Sequence, residues 1–193
     1  MERPRGLRTC LYDETQLELV LAEMAQRLAT RLDRADPVAV VGILRRGAPL
    51  ADRLVAALQR HHGVPPPLRL DLRIKRYEDD LTLLHPETRL DENEQQRSLD
   101  LKDYTVVVVD DVLYTGNSML RAVAWLAQKQ PRQIIVVTLA DRCVTRLPIH
   151  ADVVGVRLQV APPDIVECNV PPYEPTFRIE LLKLERAGGE YQT

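Results

Sequence analysis

Two adjacent carboxylates follow a run of four valines in the stretch VVVVDDVLYTGNSML, Val106 to Leu120. A buried strand seldom leads into groups so costly to desolvate unless something polar meets them. Asp110 and Asp111 therefore call for a partner: sugar hydroxyls, a divalent cation, or both. After Val112, Leu113 and Tyr114 comes a small polar turn, Thr115-Gly116-Asn117-Ser118. It opens a helical pattern, and the unpaired N–H groups and dipole at a helix start favour an anion. Gly116 allows close backbone approach, and the Thr115 and Ser118 hydroxyls add donors. A ribose 5-phosphate satisfies both halves, with vicinal hydroxyls on the aspartates and phosphate on the turn. Reading Ser118 as an ordinary N-cap would explain that serine but not the carboxylates.

These residues need a scaffold that brings them to one edge. Apolar residues at Leu17, Val20, Leu21, Met24, Leu28 and Leu32 predict an amphipathic helix. VAVVGI (Val38–Ile43) reads as a strand buried on both faces, followed by the turn LRRGAPL and a second helix from about Pro49 to His61. LRLDLRI (Leu68–Ile74) alternates as a strand does, and TVVVVD, QIIVVTLAD, the segment near Asp152–Val156 and FRIELLKL supply further strands. A helix spans about Ser118 to Gln130. Strand–helix alternation with continuous β-branched runs predicts an α/β fold with a doubly wound parallel sheet. In such sheets ligands bind beyond the carboxyl ends of the strands, where Asp110 and Asp111 are expected. From Lys75 to Asp103 the apolar pattern fades, and so long a polar tract predicts a lid loop.

The 193 residues suit one domain, 1–193, able to bury its own core. A net charge of −2 and a pI near 6.1 give no global attraction to nucleic acid, and one Trp with one Phe offers few stacking platforms. Cys10, Cys143 and Cys168 are widely spaced and form no CxxC pair, which predicts reduced thiols in a cytoplasmic protein. No apolar run approaches the roughly 20 residues of a membrane span, so no membrane partner is expected. His61, His62, His85 and His150 group with no carboxylates and are expected at the surface. Neither the dinucleotide glycine fingerprint nor GxxxxGK[ST] is present.

The residues now carry a resemblance. VVVVDDVLYTGNS resembles the phosphoribosyl-diphosphate (PRPP) signature of type I phosphoribosyltransferases, with Ser118 where Thr is more usual. Other stretches resemble one branch, the pyrimidine operon attenuation regulator/uracil phosphoribosyltransferase (PyrR) family. These are VGILRRG after the first buried strand, LRIKRYEDDLT, and LADRCVTRLPIHADVVG. The resemblance runs from about Val38 to Gly155.

It implies a type I phosphoribosyltransferase fold with a flexible lid at about 75–103 and a small hood from about 157 to 193. The implied reaction joins uracil to PRPP, giving UMP and diphosphate. Asp110 and Asp111 would hold the ribose hydroxyls. Mg²⁺ would be the cofactor, bound mainly through PRPP near these aspartates, with no dedicated protein cage. Arg45, Arg46 and Gly47 would meet the diphosphate, Arg46 foremost, since guanidinium matches phosphate geometry. Lys75, Arg76, Tyr77, Asp79 and Asp80 would form the base of the lid, which shields an oxocarbenium-like state from water. The base would lie near the Asp141-Arg142 backbone. Tyr114 stands where the 6-oxopurine enzymes carry an aspartate, which favours a pyrimidine.

The implied partners are PRPP and uracil, UMP or UTP as effectors, leader RNA, and a second copy in a homodimer. The chain departs from the family pattern at Arg142-Cys143-Val144-Thr145-Arg146-Leu147-Pro148-Ile149-His150, where a glycine and two basic residues are missing. Phosphate contacts carry most RNA affinity, so this loss weakens the expectation of RNA. Two alternatives stay open: a nucleotide-sensing RNA regulator with little catalysis, and a transferase for another base such as a 6-oxopurine.

Overall fold

The four valines form the centre of a parallel sheet. The computed structural model describes residues 6–74, 99–161 and 163–184. In chain order its elements are β1 (Gly6–Tyr12), α1 (Glu14–Ala29), β2 (Val38–Ile43), α2 (Gly47–His62), β3 (Leu68–Leu72), β4 (Thr105–Leu113), α3 (Asn117–Gln128), β5 (Gln133–Asp141), β6 (Val153–Arg157), β7 (Ile165–Asn169) and β8 (Arg178–Leu184). Five strands pair in parallel in the order β3-β2-β4-β5-β6.

Alternating side chains of β4 serve two cores. Val107 and Val109 pack with Leu17, Leu21, Met24 and Leu28 of α1 and Leu50, Leu54 and Leu58 of α2. Val106 and Val108 pack with Met119, Ala122, Trp125 and Leu126 of α3. Burying each large aliphatic side chain contributes about 1.5–3 kcal/mol, so the sheet is clamped from both faces. α1 starts with a capping box: Gln16 N–H donates to Asp13 Oδ1 at 2.9 Å, and Asp13 N–H to Gln16 Oε1 at 3.0 Å.

A second, antiparallel sheet runs β1-β8-β7. Its inner residues Val166, Cys168 and Ile179, with Phe177 just before β8, join the core on the α1/α2 side. Sequence reading anticipated β8 but neither β7 nor β1. The segment before α1 pairs with β8 from Gly6 to Tyr12.

Of the tract read as a lid, residues 75–98 lie outside the described residues. Its last part is anchored: Leu101 is fully buried against the α3-side core. No helix among the described residues is long and apolar enough to cross a membrane.

Candidate functional site

The aspartates do not sit at the tip of β4, as the sequence suggested; the strand runs on to Leu113. They sit where β4 outgrows one neighbour. Pairing with β2 ends at Gly42↔Val109, while pairing with β5 continues to Leu113↔Asp141. The facing pattern also changes there. Val107 and Val109 face the α1/α2 core, and so does Val112, whereas Leu113 faces the α3 core. Strict alternation is therefore interrupted across the carboxylates. Both are buried, Asp110 at 3% and Asp111 at 5% exposure. Asp110 Oδ1 accepts the Asp111 N–H at 2.9 Å, which uses one oxygen for a local bond.

The space left by β2 is filled by the turn 44–46. Leu44 N–H donates to Leu72 O at 2.9 Å, and the Leu44–Arg45 peptide is cis. Gly47, first residue of α2, lies so close to β4 that a Cβ there would fall 2.6 Å from Val109 O and 3.1 Å from Asp110 Cα. Only glycine allows this approach, and it brings the arginine turn against the carboxylates.

Arg45 is exposed and Arg46 half-buried. Arg46 is gripped by Glu174, with Nη2–Oε1 at 2.6 Å and Nε at 3.1 Å from both carboxylate oxygens. That bond, joined by the charge of Asp111, raises the guanidinium above its ordinary pKa despite partial burial. The Arg45 guanidinium carbon lies 4.8 Å from the centroid of the Tyr173 ring. Neither Tyr173 nor Glu174 was anticipated from sequence; a Pro-rich turn gave no signal that it reaches the arginines.

On the other side of the aspartates, the polar turn begins α3. Gly116 has φ +88°, a left-handed conformation suited to glycine, and a Cβ there would meet Ile149 Cγ2 at 2.5 Å. Helix α3 starts at Asn117 with no side-chain cap. Ser118 is thus inside the first turn and does not cap it. The Asn117 side chain instead donates to Thr115 Oγ1 at 3.0 Å. First-turn N–H groups without a side-chain acceptor are what an oxyanion would use.

Tyr114 is 45% exposed, with the buried Arg142 beneath it at 4.6 Å from ring centroid to guanidinium carbon. Arg142 Nη2 donates to Val160 O at 3.2 Å and Asp164 O at 3.1 Å, tying β5 to the chain leading into β7. The Asp141 carbonyl accepts from Leu158 N–H, and its carboxylate accepts from Cys143 N–H at 2.8 Å. Cys143 has φ +55°, so the residue replacing the family's glycine keeps a glycine-like backbone. Cys168 lies under the aspartates, its thiol 3.8 Å from Asp111 O. Burial first, then the Asp111 charge, pushes this thiol pKa well above its ordinary value.

The structure thus gathers Arg45, Arg46, Gly47, Asp110, Asp111 and the 114–118 turn along the carboxyl edge of the parallel sheet. Asp141 and Arg142 flank them. Tyr77, Asp79 and Asp80, assigned to the lid base, lie outside the described residues. A cleft of about 410 Å³ lies elsewhere, at the amino ends of the strands, lined by residues such as Thr30, Asp33, Asp36 and His62. It holds none of the gathered groups.

A parallel sheet with paired carboxylates, an uncapped helix start and an arginine turn on one edge is the arrangement of a phosphoribosyltransferase. The sequence profile of the phosphoribosyl transferase domain matches residues 9–176, and the chain belongs to that family and, within it, to the PyrR branch. The bifunctional protein PyrR of Clostridium perfringens is 31% identical over 176 residues, covering 91% of this chain and 97% of that protein. The bifunctional protein PyrR of Deinococcus radiodurans is 33% identical, covering 91% and 94%. Among solved structures, a hypoxanthine phosphoribosyltransferase of Trypanosoma cruzi superposes with a TM-score of 0.68 at 17% identity, covering 92% of this chain and 97% of that one. At that identity the likeness is one of fold.

Proposed function

We propose that this chain transfers the phosphoribosyl group of PRPP to uracil: the bond from C1′ to diphosphate breaks, a bond from C1′ to the base nitrogen forms, and UMP and diphosphate leave. The observation that carries the reading is the contact of Gly47 with Val109 and Asp110, which sets an arginine turn beside two buried carboxylates. In this reading the 5-phosphate rests on the backbone N–H groups and hydroxyls of Thr115–Ser118. Asp110 and Asp111 accept from the ribose hydroxyls and, being anionic, favour the positive charge that develops at C1′. Arg46 and Arg45 hold the leaving diphosphate. Tyr114 borders the base, and an aromatic ring there lacks the carboxylate that a 6-oxopurine would engage.

The residues also fit a magnesium ion. Asp110 and Asp111, adjacent buried carboxylates, would lie near an ion held chiefly by PRPP oxygens. That ion would neutralise diphosphate charge. We assign the single domain 1–193 a lid at 75–103 and a hood from about 157 onward that includes β7 and β8. A cytoplasmic homodimer responding to UMP or UTP completes the proposal.

RNA binding is the weaker of the family's two roles here. Arg8, Arg27, Arg31, Arg53, Arg69, Arg132 and Arg178 each have a carboxylate partner, which dilutes the positive field that RNA affinity needs. A salt-dependent gel-shift with pyrimidine leader transcripts tests it, and a shift at low salt would restore the regulatory role.

The decisive assay follows diphosphate release from PRPP and Mg²⁺ with uracil, hypoxanthine, guanine and xanthine in turn. Release with uracil alone is expected. Release with a purine and none with uracil would overturn the pyrimidine assignment.

A further inference from the structure

We infer that Glu174 is a positioning residue for the diphosphate arginine, acting through Arg46 and never on the substrate itself; this rests on the reading above that Arg46 meets the diphosphate. Glu174 lies in the turn between β7 and β8. Its side chain is 3% exposed, whereas that of Arg46 is 37% exposed. A buried carboxylate is tolerable only when charge and hydrogen bonds compensate it, and both are present. Its Oε2 accepts the Val170 N–H at 2.9 Å, while Tyr173 N–H and Glu174 N–H both approach Val170 O. The turn is thereby closed on itself, and the carboxylate is fixed before it meets the arginine.

The way it meets the arginine decides its role. Glu174 takes the side edge of the guanidinium, Nε and Nη2. Guanidinium has a second edge, formed by Nη1 and the outer hydrogen of Nη2, which suits a phosphate bidentately. Among the described residues Nη1 makes no hydrogen bond. A carboxylate standing in for diphosphate would sit in the open and occupy that end. Glu174 instead grips the arginine from the protein side and leaves the end available. Tyr173 supports the same turn by lying under Arg45, 4.8 Å away. One turn thus orients both arginines.

An arginine so held loses less rotamer freedom when the anion arrives. The test is calorimetric titration of inorganic diphosphate with Mg²⁺ into the full chain and into Glu174→Gln, Arg46→Ala and the double variant, with steady-state kinetics alongside. Glu174→Gln is expected to weaken diphosphate binding and raise the KM for PRPP roughly tenfold, with the KM for the base unchanged. Arg46→Ala is expected to weaken both more, and the double variant to match Arg46→Ala alone. Glu174→Asp, which keeps the charge, is expected to recover part of the loss, and it carries the test if the glutamine variant does not fold. If Arg46→Ala binds diphosphate as the wild type does, the role of Arg46 itself is wrong. If Arg46→Ala weakens binding while Glu174→Gln and Glu174→Asp do not, only the role of Glu174 falls. Tighter diphosphate binding by Glu174→Gln would also overturn it, since it would make Glu174 a competitor of the anion.

Discussion

Arg142 is buried beneath an exposed aromatic ring, its guanidinium carbon 4.6 Å from the centroid of Tyr114, while its Nη2 holds the carbonyls of Val160 and Asp164. One side chain therefore joins Tyr114, the residue proposed to border the base, to the chain segment feeding β7. Removing it would leave two carbonyls without their donor and Tyr114 without its floor. Arg142→Ala is expected to lower stability by about 2–4 kcal/mol, the sum of unsatisfied acceptors and a lost cation–π contact. Arg142→Lys should recover only a minor part, because an ammonium cannot fork between two carbonyls while stacking. Urea unfolding of the three proteins measures this; equal midpoints for lysine and arginine would refute the fork.

Cys143 follows directly and has φ +55°. A side chain in that region costs about 1–2 kcal/mol, partly offset in a glycine variant by greater freedom when unfolded. Cys143→Gly is therefore expected to stabilise the protein by about 0.5–1 kcal/mol, with the Asp141 carboxylate still accepting the N–H of residue 143. A lower urea midpoint for the glycine variant would show that Cys143 contributes contacts outweighing its strain.

Much of this architecture was legible from residue patterns. Val38–Ile43 appears as β2 at the predicted ends, because a strand buried on both faces must be continuously apolar. The helical spacing of Leu17, Leu21, Met24 and Leu28 likewise matches the buried face of α1. The stretch 106–118 stands out because strand, carboxylates and turn are contiguous in sequence. What stayed hidden depends on long-range partners. β1 mixes Arg8, Thr9 and Cys10 with apolar residues and becomes a strand only by pairing with β8, over 160 residues away. Glu174 and Arg46 are 128 residues apart, and no periodicity announces an ion pair. The end of β4 is hidden for a related reason: Asp110 and Asp111 resemble a strand terminus, but pairing with β5 carries the backbone past them.

Gly116 tests the proposed phosphate turn. Its φ of +88° and the 2.5 Å approach of Ile149 to a notional Cβ leave no room for alanine without moving the first turn of α3. Gly116→Ala is expected to cost about 1–3 kcal/mol in stability and to raise the KM for PRPP at least roughly tenfold, since the N–H groups lose their common aim. Steady-state kinetics at saturating base checks it. An unchanged KM for PRPP would move the phosphate elsewhere.

The carboxylate pair makes the sharpest demand on the proposed chemistry. Asp110→Asn with Asp111→Asn keeps shape but removes both charges and turns one acceptor oxygen of each side chain into a donor NH2. Turnover of PRPP is expected to fall at least about 100-fold, equivalent to about 2.7 kcal/mol of transition-state stabilisation. The fold is expected to stay intact, because removing two adjacent buried carboxylates also removes their mutual repulsion and desolvation cost. Diphosphate release measured with the folded double variant decides; wild-type turnover would remove the aspartates from the reaction.

Cys168 offers a pH test beneath the same site. Burial and the nearby Asp111 charge raise its thiol pKa well above the ordinary value of 9.0, so the folded protein keeps a proton there that the unfolded chain releases. The stability this gives is fully present below the unfolded pKa and declines as pH rises above about 9, since there the folded state binds more protons. Cys168→Ala should flatten that decline, measured as urea midpoints between pH 7.5 and 10. The same protonation makes the thiol a poor nucleophile. At pH 8 an alkylating reagent is expected to modify the exposed Cys10 and Cys143 in the native protein, and Cys168 only after unfolding. Labelling of all three thiols at similar rates in the native state would show that β7 opens readily beside Asp111, and the buried-thiol account of the alkaline decline would fail with it.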